Sequence, residues 1–339
     1  MECKISVYDE SLTRVGLITE FVSFVYEEQY TECGRAQLVI AKNDFSAQLL
    51  SPGRFLGIPG GKTLAVIVSV EDKEQNGSRE LWIYATEAKI LLNERVYAGK
   101  LSGENQQIES VLRGALSASR LPNIISVGDS AGLTATTNTD YTYPALGELC
   151  STLCAEADYG YRLRFDKATK KLIFELYEGK TATHIKFSER YGNLADLYRA
   201  ISEENYKNIA YVGGEEREGV ERIYVTAGDD TLAGLERREM FVDASDIKQE
   251  ALSEADYKAL LVERGNEELA KCIKTDCVEF SVAPDDFGVD YELGDKITCV
   301  LPEYGIILKV RVIGVTWTWE NNKNTIALSL GTPIVVRRK

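Results

Sequence analysis

The chain has 339 residues, of which 44% are apolar and 27% charged, with a formal net charge of −14. Such a length admits two or three cores of ordinary globular composition. The acidic balance argues against a nonspecific grip on nucleic acid or anionic lipid, because both need a basic surface. The seven cysteines are an odd number scattered along the chain, so reduced thiols, mostly buried, are expected rather than a disulfide framework. MECKISVYDE lacks the apolar core of a signal peptide, and the longest apolar run, Leu64 to Val70, is too short to span a bilayer. Synthesis in the cytoplasm without a membrane stage is therefore expected.

Residues 13 to 26 are rich in β-branched and aromatic residues and predict one or two strands, followed by a polar turn from Glu27 to Cys33. Ala36, Leu38 and Ile40 alternate with Arg35, Gln37 and Val39, which predicts a half-buried strand. Leu49 to Gly61 is turn-rich. Thr63 to Val70 and Arg79 to Thr86 predict a hairpin with Asn76-Gly77 at its turn. Further on, Glu87 to Leu92 predicts a short helix, and Asn105 to Leu116 and Pro144 to Ala157 predict longer ones. Between those two, Ser119 to Tyr143 predicts a long loop or one weak element. Strands are predicted at Tyr159 to Phe165, Lys171 to Tyr177, Thr183 to Phe187, Ile209 to Val212 and Val220 to Thr226, with a brief helix at Leu194 to Ile201. The longest helix starts at Ser253, with Asp256 completing a capping-box variant, and Gly265 is expected to kink or split it. Strands return at Asp276 to Ser281, Lys296 to Val300, Gly305 to Trp317 and Thr325 to Val335.

This order predicts a mainly β chain with an α+β middle: two small antiparallel barrel-like domains joined by helical and mixed segments. The expected division is an N-terminal barrel-like domain at 1–100, a helical and α+β region at 101–240, and a helix plus C-terminal barrel-like domain at 241–339.

Few residues point to chemistry. In Gly57 to Thr63, GIPGGKT, the Gly-Lys-Thr of a phosphate loop is present. Its first glycine position, however, is Leu56, and a strand rather than a helix follows, so the segment reads as a hairpin turn. The single histidine, His184, lies in a predicted strand, and neither Cys150 nor Cys154 has a distinctive nucleophile setting beside it. The cysteine spacings are not those of a zinc knuckle, and the doublets Glu215-Glu216, Asp229-Asp230 and Asp285-Asp286 read as solvated loops. Arg217, Arg222, Arg237 and Arg238 alternate with acids and read as salt links. Trp317 and Trp319 are two apart and share a strand face with Val315, so they form either a core or interface seam or a glycan platform. No catalytic residue, cofactor or metal is expected.

The opening RVGLITEFVSFVYEEQYTECGRAQLVI, the segment FLGIPGGKTLAVIVSVEDKEQNGSRELWIYATEAKILLNERV, and the closing YKALLVERGNEELAKC, VEFSV, YELGDKITCV and VIGVTWTWENNKNTIALSLG together resemble the siphovirus Gp37-like phage tail proteins, relatives of baseplate hubs. The resemblance spans nearly the whole chain, is weakest from 119 to 145, and rests on order and texture. It implies a structural, non-enzymatic hub of a phage or prophage tail, a homotrimer whose paired barrels make a pseudo-six-fold ring. Such a hub would join the tail tube and distal tail protein to the tip or receptor-binding proteins. It would leave a conduit for the tape-measure protein and for DNA that passes without being specifically bound. The expected place is the virion tail, after synthesis in the bacterial host. A carbohydrate-binding or carbohydrate-active tail module using Trp317 and Trp319 is the alternative.

Overall fold

The computed structural model describes residues 3–337 except 76, 194, 250–251, 283–286, 303–305, 321–322 and 332–333, with side chains at all of these but 75, 183–185, 189, 195–197, 275–282, 306 and 334–337. The chain forms two compact units, residues 1–198 with 278–339, and residues 199–277.

In the larger unit, β-branched and aromatic residues at alternating positions build one long sheet from both ends of the chain. Part of its order runs Lys323–Leu330, Ile306–Glu320, Ser23–Gln29, Arg35–Ala41, Ser78–Glu87, Ala65–Gln75, Phe55–Gly57, Ile5–Tyr8, Arg14–Ile18, and Thr275–Val282 pairs with the outer side of Lys323–Leu330. The expected strand-rich ends and mixed middle are present. The two ends share this sheet, because Ser23–Gln29 pairs antiparallel with Gly314–Glu320. Ala36, Leu38 and Ile40 are buried as the alternation predicts, and Val39 on the other face is buried as well. A pairing of Gln75 with Ser78 closes the hairpin, and Gly77 supplies a φ of 78°.

Ile306–Glu320 serves two sheet regions. Its first half pairs with Lys296–Leu301 and Ile334–Arg337, and its second half pairs with Ser23–Gln29 and Lys323–Leu330. A register shift between Val312 and Gly314 marks the change, as expected where a bulge bends a strand.

The helices Ile108–Ala118 and Leu146–Ala157 pack with the sheet of Ile125–Val127, Gly160–Asp166 and Lys171–Tyr177 around Leu112, Leu149, Leu153, Leu163 and Phe174. The stretch expected as a long loop or one weak element carries two strands, Ile125–Val127 and Thr136–Thr142, the latter paired with Lys100–Gln107. At 195–202 there is a strand, not the expected helix.

Residue Asp158 ends the second helix in the left-handed region, φ 57°. Its carboxylate takes the Nε of Arg311 at 2.7 Å and the Nζ of Lys296 at 3.0 Å. Arg311 is about 6% exposed and also donates to the Gly294 carbonyl, so a buried guanidinium ties positions 153 residues apart.

In the smaller unit, Ile209–Gly213 lies between antiparallel Tyr224–Gly228 and parallel Glu239–Asp243. The helix Glu254–Lys271 packs on this sheet through Tyr257 and Leu261, and Ser253 caps it by accepting from the Asp256 N–H at 3.1 Å. Gly265 does not break the helix. A Cβ there would lie 2.6 Å from the Ala227 Cβ and 2.7 Å from a Val212 methyl, so glycine allows the helix to approach the sheet.

A candidate functional site at the seam of the larger sheet

Along Ser23–Gln29 the side chains of Phe24, Tyr26 and Glu28 follow one another on one face, and Tyr30 continues the alternation. The register places Tyr26 opposite Trp317 and Phe24 opposite Trp319. Trp319 stacks on Phe24 with centroids 5.4 Å apart and planes at 16°, and Trp317 meets Tyr26 at 6.0 Å and the edge of Phe287 at 5.5 Å. Both tryptophans are half-buried. Each such ring pair contributes about 0.5–1.5 kcal/mol beyond its area burial, so the seam is an energetic joint between the two ends of the chain.

At the end of this ladder lies a cavity of about 280 Å³. Trp317, Phe287, Leu293, Ile58 and Tyr177 supply apolar walls, and Glu28, Glu87, Lys62, Arg162 and Glu292 supply charge. The GIPGGKT segment forms its lip: Phe55–Gly57 and Ala65–Gln75 are strands, with a turn between them at which Gly60 has a φ of 74°. No helix follows the Gly-Lys-Thr, which agrees with a turn and not a phosphate loop.

The charges around the cavity are unequally satisfied. Lys62 reaches Glu292 at 2.6 Å on the solvent side. Arg162 reaches Glu175 at 2.9 Å and lies 4.8 Å from the Tyr177 ring centroid. Glu87, 2% exposed, accepts from the Gly34 N–H at 3.2 Å and pairs with the fully buried Lys89 at 3.3 Å; Lys89 in turn donates to the Gln29 carbonyl at 2.6 Å. Burial pushes the Glu87 carboxyl above its usual range even against Lys89.

By contrast, Glu28 accepts the Thr63 hydroxyl at 2.6 Å, which is itself 3.0 Å from the Tyr26 hydroxyl, and has no ion pair among the described residues. Burial, then the neighbouring Glu87 charge, pushes Glu28 up to about 7 against the pull of Thr63, Lys89 and Arg162.

Other sequence candidates stay apart from this site. Cys3, Cys150, Cys154 and Cys299 are buried free thiols, with burial raising Cys154 to about 12. The side chain of His184 and the doublet Asp285-Asp286 lie outside the described residues. In the smaller unit Glu215 reaches Lys248 at 3.2 Å, Asp230 reaches Arg237 at 2.7 Å, and Asp229 turns back onto the Thr231 N–H at 3.1 Å. Arg222 meets Glu216 at 2.7 Å, and Arg238 meets Glu203 at 2.6 Å. Arg222 lies over Tyr224 and Phe241, and Arg237 over Tyr211, on a sheet face whose three rings are all exposed. Among the described residues no group of three His, Cys, Asp or Glu could hold a metal ion, and no helix is long and apolar enough to cross a membrane.

Glu28 escaped the sequence reading because YEEQYTEC looks like a polar turn. The period-two series Phe24, Tyr26, Glu28, Tyr30 carried the signal that the strand continues and that one carboxylate points inward.

The model of the family described as Siphovirus ReqiPepy6 Gp37-like protein matches residues 4–332. The fold is similar to that of a tail protein from Neisseria meningitidis MC58, with TM-score 0.61, 14% identity, and 97% of this chain and 96% of that one covered. It is also similar to the 43 kDa tail protein of prophage MuSo2 from Shewanella oneidensis, with TM-score 0.60, 10% identity and 98% of each chain covered. A third likeness is prophage tail protein gp18 from Listeria monocytogenes EGD-e, with TM-score 0.54, 13% identity, and 97% and 95% coverage. No curated protein matches the sequence.

Proposed function

The chain belongs to the Siphovirus ReqiPepy6 Gp37-like family, and from that membership we propose that it is a structural protein of a phage or prophage tail, a hub between tube and tip. The observation that carries this reading is end-to-end fold likeness to tail proteins, with nearly the full length of both chains aligned. In this reading the hub is a homotrimer in the virion tail. Residues 1–100 and 241–339 supply the two barrel-like domains, 101–240 the mixed middle, and the paired barrels of three subunits make a pseudo-six-fold ring. Neighbours are the tail tube, the distal tail protein, the tape-measure protein and the receptor-binding proteins. The net charge of −14 suits a channel that repels passing DNA.

The exposed face of Tyr211, Tyr224 and Phe241 with Arg222 and Arg237 also supports an assembling chain, because aromatics and arginine are enriched where proteins meet. Trp317 and Trp319 are intramolecular joints in this reading, since their rings meet Tyr26, Phe287 and Phe24.

Solution mass across a concentration series, with negative-stain images of the same sample, tests the proposal. Trimers with a central opening, alone or after a distal tail protein is added, are expected. A monomer that persists at high concentration with that partner present refutes the hub.

A further inference from the structure

We propose that the cavity beside Glu28 is a binding site for an alkylammonium group, carried by a lysine side chain of a neighbouring tail protein or by a free aliphatic amine. The hub reading assigns this cavity no ligand.

Three observations converge. First, the cavity, about 280 Å³, is large enough for a short amine-bearing chain. Second, of the three carboxylates lining it, Glu292 is paired with Lys62 and Glu87 with Lys89, whereas Glu28 takes only the Thr63 hydroxyl in direct contact and feels Lys89 and Arg162 at longer range. The other cation lining the cavity, Arg162, shares the Glu175 carboxylate with Arg164 and makes no ion pair with Glu28. A carboxylate held in a recess with no cation in contact gains most from an incoming one. Third, the rings of Trp317, Phe287 and Tyr177 line the same space. Aromatic faces attract ammonium groups and give an aliphatic stem apolar contact.

Alternative guests fit less well. An anion would face Glu28 and Glu87. A bare metal ion would lack ligands, since no three-donor cluster exists among the described residues. A sugar would leave the Glu28 charge uncompensated.

The charge state of Glu28 gives the site a pH signature. The groups facing it are Tyr26 on its own strand, Thr63 and Lys62 on the lip, Glu87 and Lys89, Arg162 and Tyr177 on the neighbouring sheet, and Glu292 opposite Lys62. With Glu28 titrating at about 7 and the lysine ammonium protonated throughout, affinity rises from pH 5.5 to pH 8 by about 30-fold.

Titration calorimetry on the full chain with Nα-acetyl-lysine-N-methylamide tests the proposal. The uncharged norleucine analogue, putrescine and N-acetylglucosamine are run in parallel. At pH 8 the lysine probe should bind at least tenfold more tightly than the norleucine analogue, weaken about 30-fold at pH 5.5, and lose its advantage in Glu28→Gln. Tighter binding of the lysine probe than of putrescine assigns a protein source, and the reverse order a free amine. Equal binding of lysine and norleucine probes, no binding of either at millimolar concentration, a flat pH profile, or preference for N-acetylglucosamine overturns the proposal. The probe comparison and pH profile use the unmodified protein, so they decide the matter even if the variant misfolds. They also stand apart from the trimer test, which reads mass and not ligand.

Discussion

Replacing Arg311 by Met should damage the larger unit far more than removing the carboxylate it meets. Arg311 is about 6% exposed, and its loss leaves the Gly294 carbonyl without that donor, which costs about 1–3 kcal/mol. The pairing with Asp158 adds only about 1 kcal/mol, because the Asp158 side chain is 56% exposed and keeps Lys296 at 3.0 Å. The total, about 2–4 kcal/mol, lowers the melting temperature of a unit this size by about 4–16 °C. Asp158→Gly loses the pair but relieves a φ of 57°, so its cost is offset by about 1 kcal/mol relative to Asp158→Ala.

All three tryptophans, Trp82, Trp317 and Trp319, lie in the larger unit, so intrinsic fluorescence during urea or thermal unfolding follows that unit alone. Burial raises the Asp158 carboxyl, but Arg311 and Lys296 outweigh it and hold the folded value below normal. Its contribution is therefore present above the unfolded value near 3.9 and lost as pH falls through the lower folded value. An Arg311→Met melting point within 1 °C of the unmodified protein, or an Asp158→Gly variant equally impaired, would refute the reasoning.

Glu28→Gln should stabilise the protein at pH 8 by up to a few kcal/mol and be neutral near pH 4. The folded carboxyl titrates at about 7, above its unfolded value, so its stabilising proton is present at low pH and lost as pH rises through 7; a pH-independent difference in urea midpoints contradicts this. Gly265→Ala should cost about 1–3 kcal/mol in the smaller unit, since its Cβ meets Ala227 at 2.6 Å. Hydrogen exchange along Glu254–Lys271 should accelerate while tryptophan fluorescence is unchanged; unaltered exchange removes the close-approach argument. Trp319→Ala should lose the stack on Phe24 at 5.4 Å and, the ring being half-buried, cost about 1–3 kcal/mol in the same fluorescence assay; a loss under about 0.5 kcal/mol would show that the ring is not a joint.

Local pattern made much of this fold legible. The alternation of Ala36, Leu38 and Ile40, the Asn76-Gly77 turn and the Ser253 cap each carry their own signal, and the strands and helix they predict are present. Thr136–Thr142 was hidden because its inward residues, Thr137 and Thr139, are polar and give no hydrophobic period. Ala195–Ser202 shows how a short apolar run fails to separate strand from helix. The breaks read near residues 100 and 240 follow changes of texture along the chain, whereas the compact units follow contacts in space. At the site, the tryptophan pair was visible and its partners were not. No local feature encodes that Trp317 lies opposite Tyr26, or that Glu28 and Glu87 converge on one cavity.

The pairing of Ser23–Gln29 with Gly314–Glu320 also sets a timetable for the nascent chain. Its partners are about 285 residues apart, so at roughly 5–20 residues per second about 15–60 s of translation passes before the second strand exists. Throughout that interval Ser23–Gln29 is an open edge, the kind of template on which chains stack wrongly. It carries Glu27 and Glu28 side by side, and charges on a waiting edge, one of them facing inward, discourage strangers from docking there. The inward-facing one of these two charges is the carboxylate that lines the finished cavity.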